Sequence, residues 1–192
     1  TMAAHSLPSS LFHDLLSAFA QDVTKKRYAN LADVLDYCRR SANPVGRLML
    51  LLYGASSERN NRYADDICSA LQIINFLQDI EIDYANGRIY MPQDELARFN
   101  VGNGDLLAAR HSEAFTNLME FQVERALAYY NEAMAFLPQE DRRAQRPGLV
   151  MAAIYRTLLD EIRADGMKVL QQRTSLTPLR KLWIAWRTWH RN

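Results

Sequence analysis

Four polar side chains in an otherwise apolar run are the residues best placed to do chemistry in this chain: Gln72, Asn75, Asp79 and Asp83. They fall at i, i+3, i+7 and i+11, which on an α-helix stacks them along one face. Ile73, Ile74, Phe76, Leu77, Ile80 and Ile82 surround them, so the helix reads as buried. A buried row of amides and carboxylates is unfavourable unless something pairs with it. No histidine or cysteine belongs to the row, and oxygen-only ligation suits Mg²⁺, Mn²⁺ or Ca²⁺ better than zinc or copper. Mg²⁺ takes one or two carboxylates, keeps waters and completes its shell with phosphate oxygens. Arg88 stands just past the helix, in Gly87-Arg88-Ile89-Tyr90-Met91-Pro92, where its guanidinium could grip the same phosphates in a fork. The alternative is a polar seam between helices, with Asp79 and Asp83 paired to arginines. Spacing alone leaves both open.

The elements that must position this row all read as helices. Pro8-Ser9-Ser10 starts one, with Leu11, Phe12, Leu15, Leu16 and Phe19 at helical spacing to about Arg27. Asn30 is a natural N-cap for a helix from Leu31. Pro44 and Gly46 predict a kink or break before that helix resumes to Tyr53. Gly54 to Asn61 reads as a loop, and the polar row sits on a helix from about Arg62 to Tyr84, stopped by Asn86-Gly87. Gly87 to Pro92 is extended, Gln93 to Phe99 a short helix and Gly102-Asn103-Gly104 a turn. Ser112 to Leu137 is a long amphipathic helix ended by Pro138. A charged loop from Gln139 to Arg146 precedes a helix from Leu149 to about Gln172, strained or broken at Gly166. Pro178 opens a last helix to about His190. No strand alternation is evident, so the expected fold is an all-α bundle, with residues 1–192 as a single domain.

Composition narrows the function. A formal net charge of +1 gives no electrostatic case for nucleic acid. The two cysteines, Cys38 and Cys68, have no metal-type spacing and read as buried, reduced thiols of a cytoplasmic protein. The longest apolar stretch, Leu48 to Tyr53, falls far short of the about 20 residues a spanning helix needs. The first ten residues lack the basic and apolar regions of a secretory leader. His13, His111 and His190 are scattered and read as surface or packing residues. Glu113, Glu120 and Glu124 lack the Glu-x-x-His partners of a di-iron bundle.

Three segments resemble one family. The run from Asn75 to Pro92, N-F-L-Q-D-I-E-I-D-Y-A-N-G-R-I-Y-M-P, is similar to the second aspartate-rich signature of the squalene/phytoene synthase family. Tyr37-Cys38-Arg39-Arg40-Ser41-Ala42-Asn43-Pro44-Val45-Gly46-Arg47-Leu48 resembles its Tyr-Cys…Val-Gly helix. Tyr155-Arg156-Thr157-Leu158-Leu159-Asp160-Glu161-Ile162 resembles its closing helix, and similarity continues to about Leu182. Asn43 to Arg47 and Gln78-Asp79 most resemble the hopanoid-pathway, hydroxysqualene-forming branch. Gln78 departs from the basic residue that many members carry there, which bears on one expected diphosphate contact and leans away from a phytoene synthase. The family's first aspartate-rich motif has no counterpart between Thr1 and Asn30, where Asp14 and Asp22 belong to no acidic cluster. Asp65-Asp66 shares a helix with Asp79, roughly 20 Å away along its axis. The resemblance therefore implies an isoprenoid-synthase-like helical bundle lacking its N-terminal helices, weak or inactive alone.

The resemblance also implies roles. Asp79 and Asp83 would be catalytic and, with Asn75, would bind Mg²⁺. Tyr37 would join them as a catalytic residue. Gln72, Asn75, Arg88, Tyr90 and Tyr155 would contact the substrate, a prenyl diphosphate. The implied reaction is conversion of presqualene diphosphate to hydroxysqualene. Head-to-head condensation of two farnesyl diphosphates is the alternative, and a noncatalytic membrane- or partner-binding module is the rival from another class. Leu179, Leu182, Trp183, Trp186 and Trp189 form a helical stripe among Arg180, Lys181, Arg187 and Arg191, with no acid. That composition fits peripheral membrane contact through residues 179–191 at the inner face, and equally a terminal helix packed on the bundle. Helices missing from over the pocket would expose apolar surface and favour a homo-oligomer.

Overall fold

Capping residues and prolines set the helix limits of the computed structural model, which describes residues 2–107 and 112–191. A short 3-10 turn at Ala3–His5 precedes α1 (Ser9–Thr24), which follows Pro8. Asn30 caps α2 (Leu31–Ser41) by accepting a hydrogen bond from the Asp33 amide. The chain breaks at Ala42, and α3 (Asn43–Leu52) starts with Pro44 in its first turn, where a missing N–H does no harm. The break expected at Pro44 is therefore present. Helix α4 (Glu58–Gln78) begins earlier than the expected Arg62, because Ser57 accepts from the Asn60 amide and caps it.

Asp79 interrupts the row. It has φ −101° and ψ 16°, and separates α4 from α5 (Ile80–Ala85). Hydrogen bonds from Asp79 N to Asn75 O (3.0 Å) and from Asp83 N to Asp79 O (2.8 Å) bridge the interruption, so the helix is kinked rather than ended. Helix α6 (Gln93–Arg98) follows, and α7 (Asn103–Leu107) occupies the place expected to be a turn. Ser112 caps α8 (Glu113–Phe136), and α9 (Arg146–Ala164) is succeeded by α10 (Pro178–Arg191). Left-handed Gly166 (φ 72°) and Met167 (φ 60°) turn the chain out of α9, short of the expected Gln172. His111 lies outside the described residues. Among the described residues no helix is long and apolar enough to cross a membrane.

Helix α4 is the spine. It packs against α8 on one side and against α3, α2 and α9 on others. Ile73, Ile74 and Leu77 of α4 meet Phe115, Leu118, Met119 and Val123 of α8 in the main core. Two connections carry the site. Residues 26–29 run beside residues 87–94: Ile89 N donates to Lys26 O (3.0 Å), Gln93 N to Tyr28 O (2.9 Å) and Asp94 N to Ala29 O (3.1 Å). This ties the end of α1 to the segment after α5, and Arg27 and Ile89 form one isolated parallel bridge. The irregular chain after α9 is plugged into the core by Met167, Val169, Leu170 and Leu176. It thereby delivers Arg173 and Thr174 to the end of α4. Both cysteines are free thiols.

Candidate active site

The residues picked out by sequence gather around the kink at Asp79, in two groups. The first centres on Asp22, at the end of α1. Tyr37 Oη of α2 donates to Asp22 Oδ2 (2.8 Å), and Tyr90 Oη donates to Asp22 Oδ1 (3.1 Å). Arg88 Nη1 lies 3.8 Å from Asp22 Oδ2. Tyr37, Tyr90, Tyr28 and Phe76 pack into one buried aromatic block, with Phe76 stacked on Tyr90 at 4.0 Å and 9°. Burial pushes the Tyr90 phenol up to about 12 and raises the phenols of Tyr28 and Tyr37. All three are therefore neutral at neutral pH; Tyr37 and Tyr90 donate to Asp22, and Tyr28 Oη accepts from Gln21 Nε2. The hydroxyls of Tyr37, given a catalytic role by resemblance, and of Tyr90, given to the substrate, both point at Asp22.

Asp83 belongs to this group. Burial pushes its carboxyl up to about 6, Arg88 opposes the rise, and the charges of Asp79 and Asp22 add to it. Asp83 thus feels the negative charges of Asp79 and Asp22, countered by Arg88. The Arg88 Nε is buried without a hydrogen-bond partner, so this guanidinium has donor capacity to spare.

The second group faces α9. Arg173 Nε donates to Asp79 Oδ1 (2.6 Å), and Arg173 Nη2 lies 3.4 Å from Gln78 Oε1. Gln78 is buried, and its Nε2 donates to Thr174 O (2.6 Å). The departure at Gln78 thus acquires a physical role: its amide binds the segment that carries a cation to Asp79. Asn75, Gln78, Tyr155, Arg173 and Lys181 line a cavity of about 280 Å³, with Met151 and Leu158 at its apolar side. The Tyr155 phenol is raised by burial and by Asp79. Gln72 is half-buried on α4, and the lining of this cavity does not reach it.

An apolar cavity of about 200 Å³ lies alongside, between α3, α4 and α9, lined by Val45, Met49, Leu50, Ile67 and Leu71. Met151 lines both cavities, so the polar one and the apolar one adjoin. Gly46 makes this wall possible: a Cβ there would sit 2.6 Å from Cys68 Sγ and 3.3 Å from Ala64 Cβ.

Sequence reasoning missed Asp22 and Arg173. Asp22 has no acidic neighbours in sequence, yet it accepts from both site tyrosines. Arg173 lies just past the helix expected to end at about Gln172, with no motif around it. Asp65, by contrast, pairs with Arg47 away from the site, as its position along α4 requires. Glu120 and Glu124 pair with Arg163. Among the described residues no three acidic, histidine or cysteine side chains converge as a metal site. Of the three residues predicted to hold Mg²⁺, Asp79 is bonded to Arg173 and Asn75 lines the cavity beside it, while Asp83 lies with Arg88 in the first group.

An all-helical bundle with this site is of the isoprenoid-synthase type. The sequence profile described as "Squalene/phytoene synthase" matches residues 1–180. The chain belongs to the squalene/phytoene synthase family. It is 33% identical over 182 residues to a phytoene synthase of Mycobacterium tuberculosis, covering 93% of this chain and 60% of that protein. It is 29% identical to a 15-cis-phytoene synthase of Synechococcus elongatus, covering 95% of this chain and 63% of that protein. Its fold is similar to the crystal structure of squalene synthase HpnC from Alicyclobacillus acidocaldarius, with TM-score 0.78 and 33% identity over 86% of this chain and 63% of that one. A dehydrosqualene synthase solved with a ligand shares the fold, with TM-score 0.78 at 24% identity over 94% of this chain and 64% of that one. The chain thus spans about 60% of the length of the phytoene synthase it matches.

Proposed function

We propose that this chain carries the diphosphate site and part of the hydrocarbon pocket of an enzyme that condenses two prenyl diphosphates head to head. The observation that carries this is the junction at Met151, where a cavity lined by Asn75, Gln78, Tyr155 and Arg173 adjoins an almost wholly apolar one. A prenyl diphosphate is itself a charged head on a greasy tail. Asp79, Asp83 and Asn75 would hold Mg²⁺, which when bound supplies Lewis acidity to the leaving diphosphate. Arg88, with its unpartnered Nε, and Arg173 would grip diphosphate oxygens. The apolar wall of Val45, Met49, Leu50 and Ile67 would exclude water from the allylic cation left behind. The aromatic block around Tyr90 is packed on itself and would set the positions of Asp22 and Arg88 rather than touch the cation.

The narrower reading, presqualene diphosphate to hydroxysqualene, draws on the similarity to squalene synthase HpnC and on the segments around Pro44 and Gln78. The phytoene synthase of Mycobacterium tuberculosis has the same 33% identity, so coupling is placed first. Calorimetric titration of the chain with pyrophosphate and Mg²⁺ tests the site, and product identification after incubation with farnesyl or presqualene diphosphate separates the two reactions. Coupled product from farnesyl diphosphate supports condensation, and turnover of presqualene diphosphate without reductant supports hydroxysqualene formation. A chain that binds neither pyrophosphate nor either substrate is a noncatalytic module, and the enzymatic conclusion falls.

A further inference from the structure

We propose that α10 and the arginine-lined groove behind it form a docking surface for an anionic phospholipid membrane. Helix α10 runs 14 residues without an acid, about 21 Å at 1.5 Å per residue. Only Ile184 is buried. Leu179, Leu182, Trp183 and Trp186 stand 79%, 67%, 54% and 62% exposed, and Trp189 is exposed beside them. Side chains of this size left in water on one face need a low-dielectric partner.

Charge selects the partner. Between α8, α9 and α10 lies a groove of about 480 Å³ whose lining includes Arg142, Arg156, Arg180, Arg187 and Arg191. Asp160 pairs with Arg156 and Glu161 with Arg180, while α10 itself carries Arg180, Lys181, Arg187 and Arg191 and no acid, so its face is net basic. Arg187 sits 5.1 Å from the centre of the Trp183 ring, and Arg146 5.5 Å from that of Trp189. Indole beside guanidinium is the pairing that suits the headgroup layer, with the ring at the acyl boundary and the cation among phosphates. A second copy of the same helix would bring like charges together. A flat anionic surface makes no demand on shape, and it satisfies the stripe and the arginines at once.

The chain's three tryptophans, Trp183, Trp186 and Trp189, all lie on α10, so intrinsic indole fluorescence reads this helix alone. The probe is vesicles of phosphatidylcholine, with or without phosphatidylglycerol. Vesicles containing phosphatidylglycerol should shift the emission to the blue, and lipids brominated in the acyl chain should quench it. Neutral vesicles should do neither, and added salt should reverse the binding. Arg187→Gln with Arg191→Gln should weaken partitioning about 30-fold, which is about 1 kcal/mol per basic residue, with helix content by circular dichroism unchanged. Equal shifts with neutral and anionic vesicles, no shift with either, or undiminished binding by the double variant would overturn the proposal. So would a shift without lipid that follows protein concentration, which would mean that a second copy covers the stripe. Partitioning is read without turnover, so its outcome is independent of the enzymatic proposal.

Discussion

Replacing Asp83 with Asn should stabilise the ligand-free protein and abolish its response to Mg²⁺ with pyrophosphate. The two effects have opposite signs, which makes the test sharp. The Asp83 carboxyl is pushed from 3.8 to about 6, first by burial and then by the charges of Asp79 and Asp22. At about 1.36 kcal/mol per tenfold, that rise sets a ceiling of about 3 kcal/mol. The group is only half-buried, and solvent screening brings the effect to about 1–2 kcal/mol. The sign follows from proton binding. Below the unfolded value both states are protonated and there is no penalty. As pH climbs from 3.8 to about 6, the unfolded chain ionises while the folded one holds its proton, so stability falls. Above that range the loss is constant. Asn cannot ionise, so Asp83→Asn should melt about 2–8 °C higher at pH about 7.5, given about 2–4 °C per kcal/mol for a chain of this size. The gap should close near pH about 3.5. Conversely, Mg²⁺ with pyrophosphate at about 100 times its Kd should stabilise the wild type by about 2.7 kcal/mol and the variant by nothing. Differential scanning fluorimetry across pH, with and without ligand, reads both. A lower melting point for the variant at neutral pH, a gap indifferent to pH, or a retained ligand response would refute the reasoning.

Asp22→Ala should lose about 2–4 kcal/mol in urea denaturation, since two phenol hydroxyls lose their acceptor; adding Tyr37→Phe and Tyr90→Phe should return most of it, because removing both partners is nearly neutral. Gly46→Ala should cost about 1–3 kcal/mol by overpacking α3 on α4, and Cys68→Ala in the same chain should relieve it, as Cys68 Sγ is the nearest atom at 2.6 Å. Burial pushes the Cys38 and Cys68 thiols up to about 12 and about 11, so a thiol reagent at pH about 8 should label neither in the native protein and both in denaturant. Arg173→Leu should leave Asp79 without its guanidinium partner, and weaken pyrophosphate binding by calorimetry at least about tenfold, the usual scale of a lost charge-assisted bond.

Helix limits were legible where a capping side chain or a proline marked them at Asn30, Pro44, Ser112 and Pro178, whereas Pro147 opens α9 at Arg146, ahead of the expected Leu149. Ser57 offered the same signal, but the polar run after it disguised the first turn of α4. The kink at Asp79 was not legible, because its apolar flanks continue the helical period unbroken. The residues from Asn75 to Arg88 were identifiable as a site because amides and carboxylates in so apolar a run demand partners. The partners themselves were hidden. Asp22 reaches the site only because residues 26–29 run beside residues 87–94, and Arg173 only because Met167, Val169, Leu170 and Leu176 anchor an irregular segment. Neither contact has a period or a motif. Both are products of tertiary packing, which local sequence does not encode. The same holds for Tyr37 and Tyr90, whose hydroxyls are committed to Asp22.

The bond between Arg173 and Asp79 makes two opposite ions interdependent at this site. A divalent cation arriving alone would have to evict a guanidinium that then had no counter-ion. A diphosphate arriving alone would draw Arg173 away and strand a carboxylate beside Asp83, whose own ionisation is already suppressed. When both arrive together, each takes the partner the other releases, and neither charge is left bare. Occupancy by metal and by anion should therefore be synergistic, with each raising the affinity for the other by the same factor.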